Sequence, residues 1–284
     1  MAAMGLPRYE DHYIDVDGGR VRYWVEGDGP VLLLVHGLAC SAEFWQWNVG
    51  PLAKEHRVYA LDLPGFGLSD KEMGDFSLEY AASFLRSFLD TVGAERATVA
   101  GNSMGGVVCA QFVVQFPERT DGLILVGSAG FGRELNPLLR TWSVPVVGDL
   151  IFRVYQRAFP AVRGWVFCDA SSIGEEWVEG AAAMLRMPGV RENTLRVAQM
   201  GIDLHGQREE MFRGLHVGLG SVTAPTLIVW GDRDVAVPVA HAYVAESLIP
   251  HAEVRIMERC GHTPQVERPE EFNKLVLDFL SARS

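Results

Sequence analysis

A serine set among three glycines, in VAGNSMGGVV (99–108), constrains this chain more than any other feature. Glycine inside a strand or helix is less stable than alanine by roughly 0.5–1 kcal/mol, so three glycines within six residues demand a reason. The stretch closes one apolar run and opens another. In a strand-to-helix turn this tight only small neighbours fit, the serine backbone is strained, and the hydroxyl of Ser103 stands above the sheet. The next N–H, on Met104, then points to where an oxyanion would form.

The apolar runs around it set the fold class. VLLLV (31–35), VYAL (58–61), ATVA (97–100), LILV (123–126), TLIVW (226–230) and VRIM (254–257) are short, and each is followed by Gly or a polar turn. Runs apolar on both faces predict buried parallel strands. Between them, Ser77 is placed to cap a helix with Ala81, Phe84, Leu85, Phe88 and Leu89 inward. Phe272, Leu275, Val276, Phe279 and Leu280 repeat the helical stripe near the C-terminus. Alternating strands and helices predict an α/β protein, a mostly parallel sheet flanked by helices. Segments 10–15 and 20–26 alternate polar and apolar residues and join at DGG (17–19), which predicts an antiparallel edge hairpin.

One interval breaks the alternation. From Phe131 to Leu215 no comparable strand run occurs, but helical pieces carry Trp142, Phe152, Tyr155, Phe159, Trp165, Phe167 and Trp177. Ser172 and Glu175 make a capping-box pattern. The expected organisation is a core of residues 1–130 and 216–284 with a helical insertion over 131–215, since a structureless loop of that length would be unusual.

Serine needs a base, and the base a carboxylate to orient it. His262 follows the VRIM run through ERCG (258–261), and Gly261 lets the chain bring the imidazole over the sheet edge. His205, His216 and His241 lack such a strand-end setting. The loop after TLIVW supplies two acids, Asp232 and Asp234. Asp234 lies further out, with enough chain to turn back toward His262, so it is the expected acid, with Asp232 capping the turn. The order Ser…Asp…His is the one an α/β sheet of this kind uses. A second oxyanion donor is expected from HGLA (36–39), where Gly37 permits a turn that aims the Leu38 N–H at the point the Met104 N–H faces. His36 is expected to hold this loop.

These landmarks, HGLA (36–39), DLPGFGLSD (62–70), GNSMGG (101–106), WGDRD (230–234) and CGH (260–262), resemble those of the α/β-hydrolase superfamily along nearly the whole chain. The resemblance implies that 131–215 is a helical cap. In that superfamily, haloalkane dehalogenases and epoxide hydrolases carry Asp at the elbow; Ser103 implies attack on an ester, thioester, lactone or activated carbonyl. NVGP (48–51), GNSMGG (101–106), CGH (260–262) and EFNKLVLDFL (271–280) are also similar to the meta-cleavage-product hydrolases, which split carbon–carbon bonds. Those enzymes usually follow the base with Trp, here Thr263, and carry a cap Arg beside a Trp. Arg186 and Arg191 have no adjacent Trp. Ester hydrolysis is therefore the first expectation, carbon–carbon hydrolysis the second and a non-enzymatic ligand receptor the third. No metal or organic cofactor is expected.

Composition narrows the partners. The formal charge is −11, and no cluster of Lys and Arg appears that could displace counterions from nucleic acid. Cys40, Cys109, Cys168 and Cys260 are far apart in sequence and read as reduced thiols. The N-terminal MAAMGLPRYEDHYIDV has no apolar core of signal-peptide length, and no apolar run approaches the roughly 20 residues needed to span a bilayer. A cytoplasmic protein acting on a small acyl substrate is expected, of unassigned oligomeric state.

Overall fold

The computed structural model describes residues 6–72, 74, 75, 77–162, 164 and 166–282. Trp165 and the first five residues of the N-terminal stretch lie outside them. The strands are β1 (His12–Val16), β2 (Gly19–Glu26), β3 (Val31–Val35), β4 (Arg57–Leu61), β5 (Ala97–Asn102), β6 (Thr120–Val126), β7 (Ile202–Asp203), β8 (Gly206–Gln207), β9 (Thr226–Gly231) and β10 (Glu253–Met257). Eight of them form one sheet in the order β1-β2-β4-β3-β5-β6-β9-β10. From β4 to β10 every pairing is parallel, and β2 alone runs against its neighbours. The edge hairpin closes through Asp17 and Gly18, both at positive φ (54° and 84°), as a two-residue turn between right-twisted strands requires.

The helices are α1 (Val49–Leu52), α2 (Leu78–Thr91), α3 (Met104–Gln115), α4 (Pro137–Thr141), α5 (Pro145–Val162), α6 (Glu175–Leu185), α7 (Val190–Gly201), α8 (Arg213–Leu219), α9 (Ala240–Leu248), α10 (Pro264–Glu267) and α11 (Pro269–Ser281). Strand residues alternate between two cores, as their period of two dictates. Leu33, Val35, Val99, Leu125 and Trp230 face one way, against Phe84 and Phe88 of α2, Val108 and Phe112 of α3 and Ala242 of α9. Leu32, Leu34, Ala100, Val126 and Val229 face the other, against Leu52 of α1 and Phe272, Val276 and Phe279 of α11. Ser77 caps α2, its hydroxyl accepting the Tyr80 N–H at 3.2 Å.

Between β6 and β9 the chain makes an excursion of helices α4 to α7 and the small β7–β8 hairpin. Its aromatic residues form a third apolar cluster: Trp142, Phe152, Phe159, Phe167 and Trp177, with Leu185 and Leu195. The cluster closes on the core through Phe44 and Val266, and Trp177 Nε1 donates to the Glu43 carbonyl at 2.9 Å. The two ends of the excursion behave differently. Phe131, Leu135, Phe212 and Leu215 pack into the sheet's own core, and α8 lies against α3. Helix α6 starts at Glu175 after Gly174 rather than directly after Ser172, so the capping-box pattern does not mark its N-terminus. Among the described residues, no helix is long and apolar enough to cross a membrane.

Candidate active site

Ser103 sits between β5 and α3 with φ 56° and ψ −117°. A positive φ is uncommon for a residue with a side chain and is held only where the surroundings enforce it. Here they do. The Ser103 N–H donates to the Val126 carbonyl at 2.9 Å, and its own carbonyl accepts the N–H groups of Gly106 and Ala129, each at 3.0 Å. A Cβ on Gly101 would strike the Gly105 carbonyl, and one on Gly105 would strike the Val35 carbonyl. The elbow glycines are therefore needed for close approach of backbone to backbone. Helix α3 begins at once, so the Met104 N–H is among the donors a helix leaves without an internal acceptor.

The loop after β3 closes on this elbow. A Cβ on Gly37 would come within 3.2 Å of Ser103 Cβ. His36, fully buried, fastens that loop. Its Nδ1 donates to the Gly37 carbonyl at 2.8 Å and its Nε2 accepts the Leu63 N–H at 3.0 Å. Burial pushes the His36 imidazole down to about 4, which keeps it neutral and able to accept. Behind it, Asp62 accepts the N–H groups of Ala42 (2.7 Å) and Leu68 (2.8 Å) and pairs with Arg22 at 3.1 Å. The DLPGFGLSD stretch is thus the buried brace of the Leu38 loop.

The structure brings His262 and Asp234 into contact. Their Nδ1–Oδ2 distance is 2.8 Å, and the Asp234 side chain is fully buried. Asp234 Oδ1 accepts the N–H groups of Ala236 (2.8 Å) and Val237 (2.9 Å), which fix the carboxylate's direction. Burial alone would lower the His262 pKa, but the Asp234 carboxylate and its hydrogen bond outweigh burial, with Glu267 adding, and hold it above its ordinary value. With Nδ1 donating to Asp234, Nε2 of the neutral ring is left with its lone pair. Asp232 does a different job: its Oδ1 accepts the Cys260 N–H at 3.1 Å and ties the two loops together. His216 and His241 face the Gly130 carbonyl (2.6 Å) and Glu134 (3.1 Å). Neither lines the cavity described next.

Ser103, Met104, Leu38 and His262 all line a cavity of about 240 Å³. Its walls come from both sides. The core contributes Leu63, Phe66, Leu78, Phe84 and Val107, and the excursion contributes Trp142, Tyr155, Phe159, Ala181 and Leu185. Among the described lining residues there is no Arg or Lys. Arg186 instead donates to the Gln156 carbonyl at 3.0 Å, and Arg191 pairs with Asp149 and Glu192.

Three residues of the site were not singled out from sequence. Asn102 Nδ2 donates to the carbonyls of Val126 (3.0 Å) and His262 (3.1 Å), which links elbow to base loop. Gly127, at φ 51°, ends β6 where a Cβ would come within 3.2 Å of Asp234 Oδ2 and 3.3 Å of His262 Nδ1. The buried Glu267 accepts from the base loop. Gly127 could have been found, because it follows the LILV run directly. Asn102 occupies a motif position that carries no requirement, and Glu267 falls inside a helical stretch.

A family model described as the alpha/beta hydrolase family matches residues 32–275. A dihydrolipoyllysine-residue acetyltransferase component of the acetoin cleaving system from Cupriavidus necator is 34% identical over 269 residues, 94% of this chain and 68% of that protein. A 2-hydroxy-6-oxononadienedioate/2-hydroxy-6-oxononatrienedioate hydrolase from Comamonas testosteroni is 32% identical over 266 residues, 90% of this chain and 89% of that protein. The crystal structure of a membrane phospholipase A superposes with a TM-score of 0.79 at 29% identity, covering 96% of this chain and 86% of that one.

Proposed function

The chain belongs to the alpha/beta hydrolase family, and from that premise we propose that it is a serine hydrolase cleaving carboxylic esters of apolar acyl groups. Ser103, Asp234 and His262 form its triad, Leu38 and Met104 its oxyanion hole, and the excursion over 131–215 its cap. The observation that carries this reading is the cavity over Ser103 and His262, mostly apolar on both walls though Asp75 also lines it, and without Arg or Lys among its described lining residues. Its likeness to a phospholipase A structure supports it.

His262 Nε2 takes the Ser103 hydroxyl proton as Oγ attacks the acyl carbonyl. Asp234 holds the ring in the tautomer that leaves Nε2 free and stabilises the imidazolium. The N–H groups of Leu38 and Met104 receive the oxyanion, a stabilisation worth roughly 10²–10³ in rate per donor. The imidazolium protonates the departing alkoxide as the carbon–oxygen bond breaks, leaving an acyl-serine. Water, deprotonated by His262, attacks the acyl carbon and returns Ser103 and the free acid. The four free cysteines suit a reducing, cytoplasmic setting.

Carbon–carbon hydrolysis is the second reading, favoured by the relative from Comamonas testosteroni. That chemistry must ketonise a dienol and stabilise a carbanionic leaving group, which calls for a cation near the substrate carboxylate. Arg186 and Arg191 are engaged elsewhere. Steady-state kinetics with a p-nitrophenyl ester and a 2-hydroxy-6-oxo-dienoate separates the two. The ester should lead in kcat/KM by at least about tenfold, roughly 1.4 kcal/mol of transition-state stabilisation. A dienoate preference would overturn the ester reading and make Arg186 and Arg191 the first residues to mutate.

A further inference from the structure

Glu267 is a buried carboxylate five residues beyond His262, at the end of α10. Three backbone N–H groups converge on it. Its Oε1 accepts from Gly261 (3.1 Å) and Thr263 (3.3 Å), the two residues that flank His262. Its Oε2 accepts from Gly261 (3.0 Å) and from Cys168 (2.7 Å), which belongs to the excursion between α5 and α6. Beside that contact, the His262 N–H donates to the Val166 carbonyl at 3.2 Å, and the His262 carbonyl accepts from Asn102. The approach is close: a Cβ on Gly261 would lie 2.8 Å from both Glu267 Oε1 and the Cys168 nitrogen.

An unpaired buried carboxylate is unfavourable, so its presence here needs a reason that an apolar residue or an amide would not meet. Two acceptor oxygens can serve N–H groups on both sides at once. An amide at 267 would offer one oxygen and turn its NH₂ toward an N–H donor, either that of Cys168 or those of the base loop. Burial pushes the Glu267 carboxyl up and the three N–H groups pull it back, with a net rise.

We infer that Glu267 is a positioning residue for the base, a two-sided staple that binds the seat of the helical excursion and the backbone of His262 into one unit. The inference rests on the proposed triad. Its consequence is that any displacement of segment 166–168 by a bound acyl group is passed directly to His262. Several ionisable groups surround this point. Asp234 faces His262 on the Nδ1 side, the Cys260 thiol lies near Glu267 and the Cys168 thiol, and Arg268, at the N-cap of α11, and Glu271 on α11 lie near Cys260.

The test compares wild type and Glu267→Gln on p-nitrophenyl butyrate across pH, with thermal melting as a check on folding. Loss of base positioning should lower kcat about ten- to a hundredfold while KM stays within about threefold. The acid limb of kcat/KM should move to lower pH, because a negative charge that favours the imidazolium is gone. A structural role alone would lower the melting temperature and leave the kcat of the folded variant in place, whereas the limb shift reports the lost charge under either role. Unchanged kcat in the folded variant overturns the inference, whatever the limb does. If the variant does not fold, hydrogen exchange on the wild-type protein decides. The Cys168, Gly261 and Thr263 amides should open in one event with matching protection. Exchange at Cys168 more than about tenfold faster than at Gly261 overturns it equally. Fluorophosphonate labelling of Ser103 in both proteins reports on the triad separately, so failure of that reading is distinguishable.

Discussion

The sheet end of the site and the excursion above it are built on opposite principles. At the sheet end almost every polar atom has a partner: Asp234 Oδ1 takes two backbone N–H groups, Asn102 takes two carbonyls, and Ser103 is anchored through both its N–H and its carbonyl. Over it, the wall contributed by the excursion is Trp142, Tyr155, Phe159, Ala181 and Leu185, which offer mainly shape. Hydrogen bonds fix direction to within a few tenths of an ångström, whereas apolar contact fixes only volume. On the proposed ester reading, the difference would place the chemistry in the first region and the choice of acyl group in the second. Changes in the first should therefore alter kcat for every substrate, and changes in the second should alter the ranking of substrates.

The largest expected effect is at Ser103. Ser103→Ala should lower kcat by about 10⁶, as losing the nucleophile of a triad does, for short and long esters alike and with the fold retained in circular dichroism. A loss confined to one chain length would break the division. Asp234→Asn comes next, at about 10⁴ in kcat, since the amide favours the wrong imidazole tautomer. Asp232→Asn should be far milder, because Asp232 holds a loop through the Cys260 N–H rather than the ring. Steady-state kinetics on both variants checks the ranking. The smallest effect sharpens the comparison from the other side. Ala181→Leu, which places three more carbons into the cavity wall, should lower kcat/KM for a long acyl ester about tenfold, roughly 1.4 kcal/mol. Turnover of p-nitrophenyl acetate should stay within about twofold.

The same contrast explains what could be read before the structure. The elbow and the base loop were legible because each needs glycine at a strand end, although Gly261, expected to turn the chain, provides backbone clearance as Gly101 and Gly105 do. The strands were legible because VLLLV and TLIVW are apolar on both faces, and both faces are buried. The excursion was legible as a lapse of strand runs filled by helical pieces, but not in its inner arrangement. Its aromatic residues divide between wall and packing, with Trp142, Tyr155 and Phe159 on the cavity while Phe152, Phe167 and Trp177 pack behind them. Helical spacing is the same for both roles. The staple at Glu267 was hidden for a related reason, since its partners are backbone N–H groups supplied partly by Cys168, 99 positions away.

The central claim, that Ser103 is the nucleophile at the floor of an apolar acyl site, is tested most directly by covalent trapping. The protein is treated with an alkyl fluorophosphonate, digested, and its peptides weighed by mass spectrometry. One phosphonyl group per chain on the peptide carrying Ser103, appearing in step with loss of ester turnover and absent from Ser103→Ala, is the predicted result. An adduct on any other side chain with turnover lost, or full turnover from a protein phosphonylated at Ser103, would contradict it.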